Sequence, residues 1–262
     1  MKKSLILLLT FLSLSLGAFA ASYNPSSRVS EIGNALLTKN GISISNVKFE
    51  VTSKSVDNST FAQDRIVSVS KDDLQYAGND NETAAVVANE LGYIISGNAS
   101  KDRFITSVTG TSSNDDVASS LVKNYTYTKA QKEADVIAVN LMANAGYNPL
   151  AAIVVLTKQT STYWNVLQGK PANADRAMNI YDYTGYAYPA KLKAGYSCNE
   201  YKSFLIYADS VLAQRKENKS LEEKSQKELK KYRQNSLSQI SKFKTRGGLT
   251  FWDALFGIFR GE

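Results

Sequence analysis

"AAVVANELGYIISG", residues 84–97, is a nearly unbroken run of Ala, Val, Leu and Ile with one acidic side chain set into it. The run predicts a helix from Glu82 to Ser96, apolar enough to lie in the interior. An ionised Glu90 in such a helix is costly unless it is paired or faces a cleft. The fold is therefore expected to build around this helix, with Glu90 as the first candidate for a functional group.

Outward from it, shorter elements are expected. Val29 to Thr38 has helical spacing and stops at Asn40-Gly41, and Val47 to Val51 and Arg65 to Ser70 alternate as strands do. Thr106 to Asp116 ("TSVTGTSSNDD") predicts a loop, and Ala130 to Ala145 a second apolar helix closed by Gly146. Asn148-Pro149 precedes a helix from Leu150 to Gln159, and Gly169-Lys170-Pro171 a short one from Ala174 to Tyr181. Tyr181, Tyr183, Tyr186 and Tyr188 are expected as a half-buried surface layer. The fold class is α+β and helix-rich, with a small sheet.

Composition narrows the chemistry. The 262 residues are 43% apolar and 21% charged, enough for one sizeable core. Lys2 and Lys3, an apolar run from Leu5 to Leu16 and Ala18-Phe19-Ala20 read as a signal peptide over residues 1–20, which implies export to the periplasm or medium. Cys198 is the one cysteine, so no disulfide forms within the chain, and no basic residue close by activates it. There is no histidine. That excludes Ser-His-Asp and Cys-His catalysis and every histidine-ligated zinc site.

The charge is concentrated. Arg215 to Arg246 holds eleven Lys or Arg against four Glu, an excess equal to the formal net charge of +7 for the whole chain. Glu200 to about Ile240 has neither Pro nor Gly and predicts one or two long, mostly solvated helices: a basic arm over 199–246, following a domain over 21–198. Gly247-Gly248 then leads into an apolar tip, "LTFWDALFGIF", within 247–262. Arm and tip together suit an anionic membrane surface or an acidic protein, or the tip folds back as a cap; nucleic acid is not expected, because the arm lacks aromatic interleaving.

Three blocks carry a family resemblance. "VDNSTFAQDRIVSVSKDDLQYAGNDNETAAVVANELGYIISG" (Val56 to Gly97) is similar to the strand, turn and H-E-x-x-H helix of the HtpX/CaaX-prenyl-protease-like zinc metallopeptidases, peptidase family M forty-eight. "QKEADVIAVNLMANAGYNPLAA" (Gln131 to Ala152) resembles that family's second ligand helix, and "GKPANADRAMNIYDY" (Gly169 to Tyr183) its H-P-x-x-x-x-R segment. The resemblance implies a zincin-like scaffold over about residues 45–185.

Carried across position by position, it also implies that the metal chemistry is lost. The two helix histidines fall on Asn89 and Tyr93, the glutamate ligand on Gln131, and the H-P histidine on Lys170. These are neutral or cationic groups that bind zinc poorly, so no metal or other cofactor is expected. Glu90 keeps the general-base position, Asp135 the place that supports the ligand shell, and Arg176 a place near the cleft. Glu90 paired with Arg176 or Lys170, and Asp135 hydrogen-bonded to Tyr93 or Gln131, is the plainer role for both acids. The family's peptide-binding edge strand falls on Ile66, Val67, Ser68 and Val69, where a peptide or unfolded chain could add without being cut. The function expected is a pseudo-peptidase with a binding, adaptor or regulatory role. The alternatives are an active endopeptidase that recruits Asp135 or Glu133 to a metal, and an envelope scaffold acting through the arm.

Overall fold

The computed structural model describes residues 23–54, 56, 58–99, 117–159 and 172–246, with 117–128, 172 and 246 described by their backbone. The expected signal peptide, Lys170 and the apolar tip lie outside the described residues.

Helix α1 (Pro25–Lys39) starts earlier than the apolar spacing predicts, because Pro25 occupies the first turn, where its missing N–H has no partner to lose. It buries Val29, Ile32, Leu36 and Leu37. Strands β1 (Lys48–Thr52) and β2 (Ile66–Ser70) pair in parallel, with Phe49 opposite Val67 and Val51 opposite Val69. Between them the short α2 (Phe61–Asp64) ends on Arg65, whose left-handed φ of 60° turns the chain into β2. Two strands are not stable alone; Val67 and Val69 are fully buried against the first core cluster, which α1 and the next long helix also build.

Ser70 ends β2 and caps α3 (Lys71–Leu74) by accepting from the N–H groups of Asp72 and Asp73. Helix α4 (Asp80–Ile95) is the helix expected at 82–96. Asn79 caps it, accepting from the Glu82 N–H at 3.1 Å, while Glu82 reaches back to the Gly78 N–H at 2.8 Å. Glu82 also takes Lys158 Nζ at 2.7 Å and the Tyr196 hydroxyl at 3.1 Å, which pins the start of α4 to distant segments.

Helix α5 (Val117–Ala145) begins well before Ala130, since nothing between Val117 and Lys129 breaks a helix. Helices α6 (Ala151–Gln159) and α7 (Ala172–Ala187) follow, then α8 (Pro189–Ala194). Helix α7 runs past Tyr181 and splits the tyrosine set: Tyr183 is fully buried and donates to Asn140 Oδ1 at 3.0 Å, whereas Tyr186 is 41% exposed.

The arm is two helices, α9 (Asn199–Glu217) and α10 (Lys219–Arg246), divided at Asn218. It is not a solvated appendage. Tyr201 and Phe204 of α9 sit in a core cluster with Val154 and Ile180, and α10 returns along α5 and buries Leu229, Ser236, Ile240 and Phe243. Phe243 stacks on Phe61 at 5.9 Å, and Ser236 accepts from Asn140 at 2.9 Å. Lys224, Lys227, Lys231 and Lys242 remain exposed. A boundary at residue 199 would therefore cut through both core clusters. Helix α5 joins the two clusters, giving Ile137, Leu141 and Met142 to one and Val136 and Val139 to the other. The architecture is helix-rich α+β with one small parallel sheet.

Candidate functional site

The site depends on how closely α4 meets α5. At Gly92 a Cβ would lie 2.3 Å from the Ala134 carbonyl oxygen, so only glycine permits this approach. One turn earlier on α4, Asn89 and Glu90 face the start of the buried part of α5. There a cavity of about 320 Å³ opens among α3, α4, α5, α6 and α7. Val86, Val155, Leu156 and Ile180 form its apolar side; Asp73, Asn89, Glu90, Gln131, Asp135 and Arg176 supply its polar side.

Five of the residues singled out from sequence thus converge: Asn89, Glu90, Gln131, Asp135 and Arg176. Tyr93 lies one turn further along α4, half-buried, and is not among the described residues that line the cavity. Glu133 is not among them either. Lys170 is outside the described residues.

The polar partners differ from those expected. Arg176 grips Asp135 with a two-point fork, Nε to Oδ2 at 2.9 Å and the terminal nitrogen to Oδ1 at 2.6 Å. Asn89 Nδ2 donates to Asp135 Oδ1 at 2.9 Å. Both oxygens of a carboxylate whose side chain is 2% exposed are therefore engaged; of the two partners foreseen for Glu90, Arg176 pairs with Asp135 instead and Lys170 lies outside the described residues. Glu90 takes its hydrogen bond from Asn58 Nδ2, at 2.7 Å. Burial raises its pKa from the ordinary 4.5 to about 7; the charge of Asp73 pushes the same way, against the Asn58 bond and the field of Arg176. Asp73, held by Gln159 Nε2 at 2.8 Å, is likewise raised, chiefly by burial.

Asn58 and Asp73 are the residues that sequence reasoning missed. Both lie in the block over residues 56–97 at positions to which the resemblance assigns no role, and each reaches the site through a short loop or a single-turn helix. On β2, Val67 and Val69 point into the core and Ile66 and Ser68 are half-buried. The backbone of Ser68 is bonded to Asn58, whose Oδ1 accepts the Ser68 N–H at 2.8 Å and whose Nδ2 donates to the Ser68 carbonyl at 3.2 Å.

The zinc of the resembled family does not fit these residues. Among the described residues of the cavity, the Asn89 amide is spent on Asp135, Gln131 is neutral, and the Arg176 guanidinium already pairs with Asp135. What the cavity offers instead is a carboxyl half-ionised near neutral pH, a ring of amides and an apolar wall. Comparison of the chain with protein-family models, with curated protein sequences and with solved structures finds no match.

Proposed function

We propose that the chain is a pseudo-peptidase: an exported relative of the HtpX-like zinc metallopeptidases that binds extended polypeptide without cutting it. The observation that carries this reading is the Asn89–Asp135–Arg176 cluster. Arg176 supplies the positive charge that a zinc ion would supply, and the fork it forms with Asp135 ties α7 to α5 across the cavity. A buried fork of this kind fixes geometry, and with the Asn89 bond it occupies three of the roughly four lone-pair sites of Asp135. The cavity then serves as a binding cleft beside β2, with Glu90 as an acceptor rather than a base acting on a metal-bound water. The Lys2-Lys3 leader and its apolar run support export.

A second reading has one observation in its favour. A cleft carboxyl with a pKa near 7 is suited to proton transfer, so Glu90 could act as a general base on water without a metal.

Zinc titration calorimetry tests the loss of a metal site on which the pseudo-peptidase reading rests. The pseudo-peptidase reading predicts no zinc-binding heat for the wild-type protein and a new site in the triple variant Asn89→His, Tyr93→His, Gln131→Glu. Zinc binding by the wild-type chain that Glu90→Gln or Asp135→Asn abolishes would overturn it.

A further inference from the structure

In a parallel pair the backbone groups of successive residues alternate between the two edges of a strand. The Lys48 N–H donates to the Arg65 carbonyl at 2.9 Å, so Val67 turns its own N–H and C=O toward β1. Ser68 therefore turns its pair to the outer edge, the edge onto which a further strand would add. The Asn58 side chain already occupies it. Its Oδ1 and Nδ2 meet the N–H and C=O of Ser68 at 2.8 and 3.2 Å, in the pattern of one peptide group of a neighbouring strand. One position back on the same edge, the Ile66 N–H is taken by Asp64 Oδ1 at 2.9 Å. Asn58 is only 5% exposed, and its amide nitrogen also holds Glu90 at 2.7 Å.

We infer that Asn58 is a displaceable plug in a strand-addition site: its side-chain amide stands where one peptide group of an extended polypeptide would sit, anchored from behind by Glu90. This rests on the peptide-binding reading above and adds its regulation. An incoming chain must turn Asn58 out before it can pair with Ser68. A ligand in the cavity that takes the Glu90 hydrogen bond removes the anchor and eases that exchange. The ligand class is an extended main chain, recognised by its own N–H and C=O groups; an exposed strand edge left open invites unwanted pairing, and a side-chain plug closes it.

The test uses the full chain and a fluorescein-labelled heptapeptide of alternating Val and Thr with Lys at both ends. Binding is read by anisotropy and the Ser68 amide by hydrogen exchange. Asn58→Ser, too short to bridge Ser68 and Glu90 together, is expected to expose the Ser68 amide in the free protein and tighten peptide binding roughly tenfold, the worth of about one net hydrogen bond. Peptide should restore protection at Ser68. Should Asn58→Ser fail to fold, Glu90→Leu removes the anchor of Asn58 and is expected to tighten binding several-fold. Equal affinity for wild type and folded variants overturns the plug while leaving strand addition standing. No binding to either form, with the Ser68 amide exchanging freely in the variant, overturns the peptide-binding reading and the plug with it.

Discussion

Replacing Glu90 with glutamine should make the protein less sensitive to alkaline pH. The wild-type carboxyl has a pKa of about 7 in the folded chain against about 4.5 when unfolded, because burial and the charge of Asp73 disfavour its ionised form. Below pH 4.5 it is protonated in both states and costs nothing. Between the two values the folded protein keeps a proton that the unfolded chain releases, so stability falls as pH rises and the loss is complete above pH 7. The shift corresponds to at most about 3–4 kcal/mol, and solvent entering the cleft reduces this to roughly 2 kcal/mol. Glutamine keeps an oxygen for Asn58 Nδ2 and never ionises. Urea unfolding at pH 4.5 should find Glu90→Gln within about 0.5 kcal/mol of wild type, and at pH 8.5 more stable by roughly 2 kcal/mol, or about 4–8 °C in melting temperature. A difference between the two proteins that stays constant from pH 4.5 to 8.5 would refute the claim that Glu90 is a buried, field-raised acid.

Further outcomes follow from packing and pairing. Arg176→Ala strands the Asp135 carboxylate and should cost about 3–5 kcal/mol by urea unfolding, whereas the double variant Asp135→Leu, Arg176→Met should cost clearly less; equal costs would show that the fork is not the source. Gly92→Ala improves helix propensity by about 1 kcal/mol yet should destabilise by roughly 2 kcal/mol or more, since its Cβ would meet the Ala134 carbonyl at 2.3 Å. A stabilised variant would mean that α4 and α5 lie further apart. Phe243→Ala, which empties the site against Phe61, should cost about 3 kcal/mol and release the C-terminal turns of α10 in hydrogen exchange. Unchanged exchange there would restore the picture of an independent arm.

The sequence made the long elements legible where apolar spacing is dense. The run from Ala84 marks α4, whose cap at Asn79 that spacing does not signal, and the apolar stretch after Ala130 marks the buried half of α5. The extension of α5 back to Val117 was not legible, because Tyr, Thr and Ser carry no helical stripe even where nothing breaks the helix. In α10 the docking stripe is present as Leu229, Ser236, Ile240 and Phe243, a coiled-coil-like spacing, but dense Lys and Glu around it read as a solvated face. The grouping of Asn89, Glu90, Gln131, Asp135 and Arg176 came from family resemblance rather than from any local pattern, and all five line one cavity. Which acid takes Arg176 is decided by the reach of a rigid guanidinium fork from α7 to α5. No spacing rule encodes that, nor the bond from Asn58 to a carboxylate on α4.

The most direct measurement is metal content together with proteolysis on one purified preparation. Elemental analysis of the wild-type protein after growth with zinc, followed by incubation with fluorescent casein with and without chelator, addresses the proposed absence of metal chemistry at Asn89, Tyr93 and Gln131. Zinc is expected far below one per chain, with no chelator-sensitive cleavage. Stoichiometric zinc, with casein cleavage that chelator stops and Glu90→Gln abolishes, would contradict it.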